Sequence, residues 1–229
     1  MFIRALDNTW LKGSAFLMGE TAWEWTLIDS ARRLAAQKLG IGDKAILSKY
    51  KDAWTRAHRK EIKDTASFNA IPVVLLAGVC WIEVGGDPDI IDQLAYAVRS
   101  FDHLVDPFLE PLTITKVPEQ TSLGDVSIQL RRAAETLGPA WSNLSDADKT
   151  KIVQCLLNEP CNVGVVGRHL KDLKRIDFPS GNRIESEIIR ITGARYNRGP
   201  SLTLEQIRMN TSYGDFILGI RNRLNGLLA

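Results

Sequence analysis

Ile71-Pro-Val-Val-Leu-Leu-Ala-Gly-Val-Cys-Trp-Ile-Glu83 is the most apolar run of the chain, uncharged until its last residue. At about a dozen residues it is too short to span a bilayer, so it reads as a buried core helix. The spacing places that helix from about Ser67 to Val84, with Ser67 as the N-cap. Gly85-Gly86 follow directly and can supply the positive backbone angle that stops a helix. Glu83 therefore stands where burial strips its hydration and the helix dipole presents its negative end. Both effects raise a carboxyl pKa, which is how a protein makes a general acid. The ordinary alternative is a glutamate whose head reaches out into water.

Outward from this run the periodicity is helical almost everywhere. Phe16, Leu17, Trp23, Leu27, Ile28, Ala31, Leu34 and Ala35 recur at spacings of three and four, up to Gly40. A basic, polar stretch around Lys49–Lys63 reads as a second, more exposed helix. Asp87-Pro88-Asp89 opens an amphipathic helix over 89–105. Pro107, Pro111 and Pro118 surround Leu112-Thr-Ile-Thr115, the place for a short strand or ribbon. Helical spacing resumes over 126–137, and Ser145-Asp-Ala-Asp148 signals a helix over 146–158. Further helices are expected over 161–175 and 183–195. A last one, over 203–227, is announced by the capping-box pattern Thr203-Leu-Glu-Gln206. The fold class expected is mainly α, with at most a small β ribbon near 112–125. The best internal boundary, 63–67, separates an N-terminal helical part (1–65) from a domain over 66–229.

Composition narrows the function classes. The chain has 229 residues, 45% hydrophobic and 24% charged, which suits a soluble globular protein able to bury a full core. A net charge of +2 makes no strong claim on nucleic acid. No segment is long enough for stable membrane insertion, and Met1–Asn8 lacks the basic and apolar regions of a secretory signal. Cys80, Cys155 and Cys161 form no CxxC pair, and this odd count argues against a disulfide scaffold and suits a reducing cytoplasm. Cys155 and Cys161 remain able to pair in an oxidising space. His58, His103 and His169 have no metal-ligand spacing, so no metal or other cofactor is expected.

Three downstream segments add to Glu83. In Thr121-Ser122-Leu-Gly124-Asp-Val-Ser-Ile-Gln129 a Ser-x-Gly turn leads into a helix with an early Gln, placing amides and a carboxamide suited to sugar hydroxyls and acetamides. The plain alternative is a turn with an N-cap. Asn162-Val-Gly-Val-Val-Gly167-Arg-His-Leu170-Lys-Asp-Leu173 is a helix whose small residues allow close packing. Ala194-Arg-Tyr196-Asn197-Arg-Gly199-Pro200 ends a helix in the order of a C-cap. Tyr196 is then either a packed aromatic or a hydroxyl beside the acid, with Asn197 along the cleft wall.

Taken in order over residues 68–200, these four segments resemble the lysozyme-like superfamily, especially the bacterial lytic transglycosylases and goose-type lysozymes. His169 stands where that family often has Tyr, the stretch between Glu83 and Ser122 is longer, and the first ~65 residues fall outside the resemblance. The resemblance implies a lysozyme-like α+β domain that cuts peptidoglycan between N-acetylmuramic acid and N-acetylglucosamine. Glu83 would be its acid, Tyr196 a catalytic neighbour, and Ser122, Gly124, Gln129 and Asn197 would bind substrate. A lytic transglycosylase needs that single acid, whereas an inverting hydrolase needs a second carboxylate about 6.5–9.5 Å away. Asp87, Asp102, Asp106 and above all Glu119 are the candidates. With no leader seen, synthesis in the cytoplasm and action in the periplasm imply delivery by a type VI secretion apparatus or a phage-type lysis role, and an immunity protein as a further partner. The rival classes are a non-catalytic helical adaptor on the same fold and a chitin- or chitosan-type glycosidase.

Overall fold

The computed structural model describes residues 43–85, 122–179 and 184–229. Among these, ten α-helices surround one two-stranded ribbon, so the protein is mainly α with a small antiparallel sheet. α1 (Asp43–Ala57) and α2 (Arg59–Phe68) precede α3 (Val73–Glu83). β1 (Ser122–Leu123) pairs with β2 (Ile128–Gln129), Ser122 opposite Gln129 and Leu123 opposite Ile128. Then come α4 (Leu130–Leu137), a 3₁₀ turn (Trp141–Asn143), α5 (Asp146–Leu156), α6 (Glu159–Asp177) and α7 (Glu185–Arg198). The chain ends in three short helices, α8 (Leu204–Arg208), α9 (Ser212–Gly219) and α10 (Arg221–Leu228). Among the described residues no helix is long and apolar enough to cross a membrane.

α3 is the axis of the core. Every residue from Val74 to Trp81 is buried, as befits a helix that is apolar on all sides. α1, α2, α6, α7, α9 and α10 all pack against it. Trp54, Ile62 and Ala66 share its hydrophobic cluster with Leu123, Leu130, Leu170 and Ile217. The boundary read at 63–67 lies within α2.

Four local expectations are corrected. Ser67 does not cap α3, because it belongs to α2; Asn69 and Ala70 (φ 50°) turn the chain, and Pro72 opens α3 with its fixed φ. α3 leaves the helix through extended backbone at Val84 (φ −57°, ψ 104°), so a left-handed glycine is not what stops it. Residues 128–129 pair as a strand before α4 begins at Leu130. The expected helix over 203–227 is broken twice. Arg198 donates to the carbonyls of Gln206 and Ile207, and the Asn210 carboxamide accepts from Ser212 N at 3.2 Å and Ser212 Oγ at 2.8 Å. With its loose end groups satisfied by side chains, α8 can stop there and α9 can start afresh; a second break falls at Ile220. The Thr203–Gln206 capping box is present at the start of α8, and Ser145 caps α5 through Asp148 N.

Two cross-links fix the outer helices. Cys155 and Cys161 are joined in a disulfide that ties the end of α5 to the first turn of α6. Arg195 is fully buried, paired with Asp177 (Nη2–Oδ1, 2.7 Å) and donating Nη1 to the carbonyls of Pro200 and Leu202. All of that guanidinium's contacts run to the loop after α7 or to the end of α6, which makes it a buried brace between them.

Candidate functional site

α3 ends on Glu83, and there the fold gathers side chains from three other helices. Tyr213, one residue into α9, donates its hydroxyl to Glu83 Oε1 at 2.7 Å. Lys51, buried on α1, donates to the carbonyl of Ile82 and sits 5.3 Å from the Trp81 ring. Tyr196 of α7 lies beside Tyr213, ring centroids 6.0 Å apart. Burial pushes the Glu83 pKa up, while the Tyr213 hydrogen bond and the Lys51 charge pull against it; the net direction is upward. Desolvation also drives both tyrosines well above their ordinary range, so both are neutral phenols.

The Tyr196 hydroxyl is not the acid's partner. It donates to the carbonyl of Ser127 in the ribbon turn, 3.2 Å away. Its ring meets His169 edge-on, with centroids 5.8 Å apart. Thr136 Oγ1 gives its proton to the Arg132 carbonyl and so accepts from His169 Nδ1 at 3.0 Å. Burial lowers the His169 pKa to about 4, so its imidazole is neutral.

The ribbon turn is held from below by Asn162. Its carboxamide accepts from Val126 N at 2.9 Å and donates to Val126 O at 3.1 Å, a two-point clamp across 36 residues. Gly124, at φ +83°, is buried between Leu156 O and the Asn162 side chain; a Cβ there would lie 2.3 Å from that carbonyl. Gly124 is thus placed by turn geometry. Ser122 is exposed in β1, and Gln129 accepts from Arg131 Nε at 3.0 Å. Asn197 is exposed at the end of α7. The structure therefore brings Glu83, Tyr196 and Tyr213 together, whereas Gln129 is engaged by Arg131 and Ser122 and Asn197 are exposed. Asp87, Asp102, Asp106 and Glu119 lie outside the described residues, as do the segments read as helices over 14–39 and 89–105.

Tyr213 was not legible as a site residue, because it falls beyond the last motif and inside what reads as one long helix. Beside it, Phe216 is half exposed, one turn further along α9, with its ring 6.0 Å from Trp81. Trp81 is itself anchored by Nε1 donating to Asp52 at 2.9 Å, and the Arg223 guanidinium lies 5.1 Å from its ring.

A second set of titratable groups lies where α2 meets α6. His58 donates Nδ1 to Trp54 O at 2.8 Å and bonds Glu159 through Nε2 at 2.9 Å. Glu61 is nearby, its Oε1 buried with no partner among the described residues, and desolvation raises its pKa to about 7. A separate surface groove of about 590 Å³ runs between Ile184, Glu187, Arg190, Arg208 and Asp215. None of the residues around Glu83 lines it, and its lining includes the Arg190–Asp215 and Arg208–Glu187 ion pairs.

Comparison with family models, with curated proteins and with solved structures finds no match to this chain. The likeness to lysozyme-like enzymes thus rests on the four motifs alone.

Proposed function

We propose that the protein cleaves the glycan strands of peptidoglycan between N-acetylmuramic acid and N-acetylglucosamine, with Glu83 as general acid. One observation carries the reading: a carboxyl at the end of the core helix is held by a phenol and raised in pKa by burial. A carboxyl that holds its proton to higher pH is what the departing glycosidic oxygen requires as the sugar develops oxocarbenium character. Once ionised, the same carboxylate can take a proton from water or from the sugar's own 6-hydroxyl, giving a muramidase or a lytic transglycosylase. An antibacterial effector or lysis enzyme acting in the periplasm is the biological setting of this proposal, and an immunity protein over the cleft is the partner it implies.

Dye release from labelled sacculi tests it. The wild type is expected to release dye, and Glu83→Gln, which keeps the shape but has no acidic proton, is expected to lose at least about a hundredfold. Retained activity in Glu83→Gln would reject Glu83 as the acid. Chitin and chitosan in parallel wells check the alternative substrates.

A second reading draws on the groove between α7, α8 and α9, which lies apart from the acid. In that reading the chain is a non-catalytic helical adaptor, and both proteins leave all three polymers intact.

A further inference from the structure

The two oxygens of Glu83 are not equivalent. Oε1 accepts the Tyr213 hydroxyl at 2.7 Å, the side-chain hydrogen bond that bears on this carboxyl among the described residues. In a neutral carboxyl the better acceptor is the carbonyl oxygen, so an oxygen engaged by a phenol leaves the proton on the other. We propose that Tyr213 is the positioning residue of this site: it fixes the Glu83 carboxyl and assigns the acid proton to Oε2.

This rests on the glycosidase reading. In it, the Oε2–H bond breaks as the glycosidic C–O bond breaks, the proton and the bonding pair ending on the leaving oxygen. The carboxylate that forms keeps the Tyr213 hydrogen bond, which favours its charged form, and later accepts a proton from the attacking hydroxyl. Tyr196, which the motif order puts forward, has its hydroxyl on the Ser127 carbonyl and leaves this task to α9. Among the described residues, the other groups facing Glu83 are the Lys51 ammonium from α1, the Tyr196 phenol from α7 and the Cys80 thiol of its own helix. The last two are held neutral by burial, so Tyr213 and Lys51 are the groups that oppose the upward push on the carboxyl.

The test is a ¹³C NMR titration of the Glu83 carboxyl in the full chain, which needs no substrate. Tyr213→Phe removes only the hydroxyl, and the Glu83 midpoint is expected to move to higher pH; Tyr196→Phe is expected to leave it in place. In unsubstituted protein the Tyr213 Cζ resonance is expected to titrate in step with Glu83, a readout that survives if the variant folds poorly. On sacculi, Tyr213→Phe is expected to lose about tenfold in kcat and to move the basic limb of the pH profile upward. An unmoved midpoint in folded Tyr213→Phe, or a Tyr213 resonance that stays flat through the Glu83 titration, would overturn the assignment. A moved midpoint in a protein inert on peptidoglycan would uphold it and sink the glycosidase reading instead.

Discussion

Glu83 is set between opposing influences of unequal size. Burial favours its neutral form and outweighs the Tyr213 hydroxyl and the Lys51 charge, which favour the anion. The Tyr213 hydroxyl and the Lys51 charge favour the ionised form, so the carboxylate is not left without support when it forms. The sequence made this residue legible because an acid ends a wholly apolar run and three further motifs follow it in order, although the run alone also fits a glutamate reaching into water. It could not reveal Tyr213, whose role depends on a contact across 130 positions. Nor could it reveal Arg195, which in the motif is merely the residue before Tyr196. Arg195 is 1% exposed and places its charge on Asp177, whose side chain is also buried. Arg195→Ala would strand that carboxylate, and denaturant unfolding is expected to show a loss of about 3–5 kcal/mol. A loss below about 1 kcal/mol would mean that water reaches the pair.

At the scale of elements, α9 is what brings the phenol to the acid. It can approach α7 closely because Gly214 faces the backbone there: a Cβ on Gly214 would lie 2.1 Å from Arg190 O. Gly193 sits opposite, its own Cβ position 3.0 Å from Gly214 Cα. Neither neighbour is the end of a flexible side chain, so Gly214→Ala must push the helices apart. The expected cost is about 1–3 kcal/mol in thermal or denaturant unfolding, with Tyr213 drawn away from Glu83 and activity reduced in the folded fraction. Gly193→Ala has slightly more room and is expected to cost less. The same region shows where periodicity fails as a guide. Thr203-Leu-Glu-Gln206 marks a helix start correctly, but hydrophobic spacing cannot show that Arg198 and Asn210 satisfy the end groups that let the chain turn. The ribbon turn is similar: Gly124 and Gln129 stand out in the sequence, whereas the Asn162 clamp that holds the turn is a long-range contact.

Over the whole molecule, helical content and the central place of α3 follow from patterns a reader can see, since a run apolar on every side has to be enclosed. The assembly of α1 and α2 onto the same core does not follow from their polar composition. It depends on Trp54, Ile62 and Ala66, and it carries with it the ionisable set at His58, Glu61 and Glu159. Glu61 has a folded pKa raised to about 7 from an ordinary value of 4.5, so the folded state binds the extra proton between those limits. Its contribution is fully present below about pH 4.5 and is lost as the pH rises through 7. The stability of Glu61→Gln relative to the wild type, from urea unfolding, is therefore expected to improve from pH 5 to about pH 7 and to level off above it. A constant difference would mean that Glu61 titrates normally. The central claim is the cut itself, and mass spectrometry of the muropeptides released from purified peptidoglycan by wild type and by Glu83→Gln tests it most directly. Cleaved muropeptides are expected from the wild type and none from the variant, with anhydro ends marking a transglycosylase and reducing ends a muramidase. Intact polymer from the wild type, or the same fragments from Glu83→Gln, would contradict it.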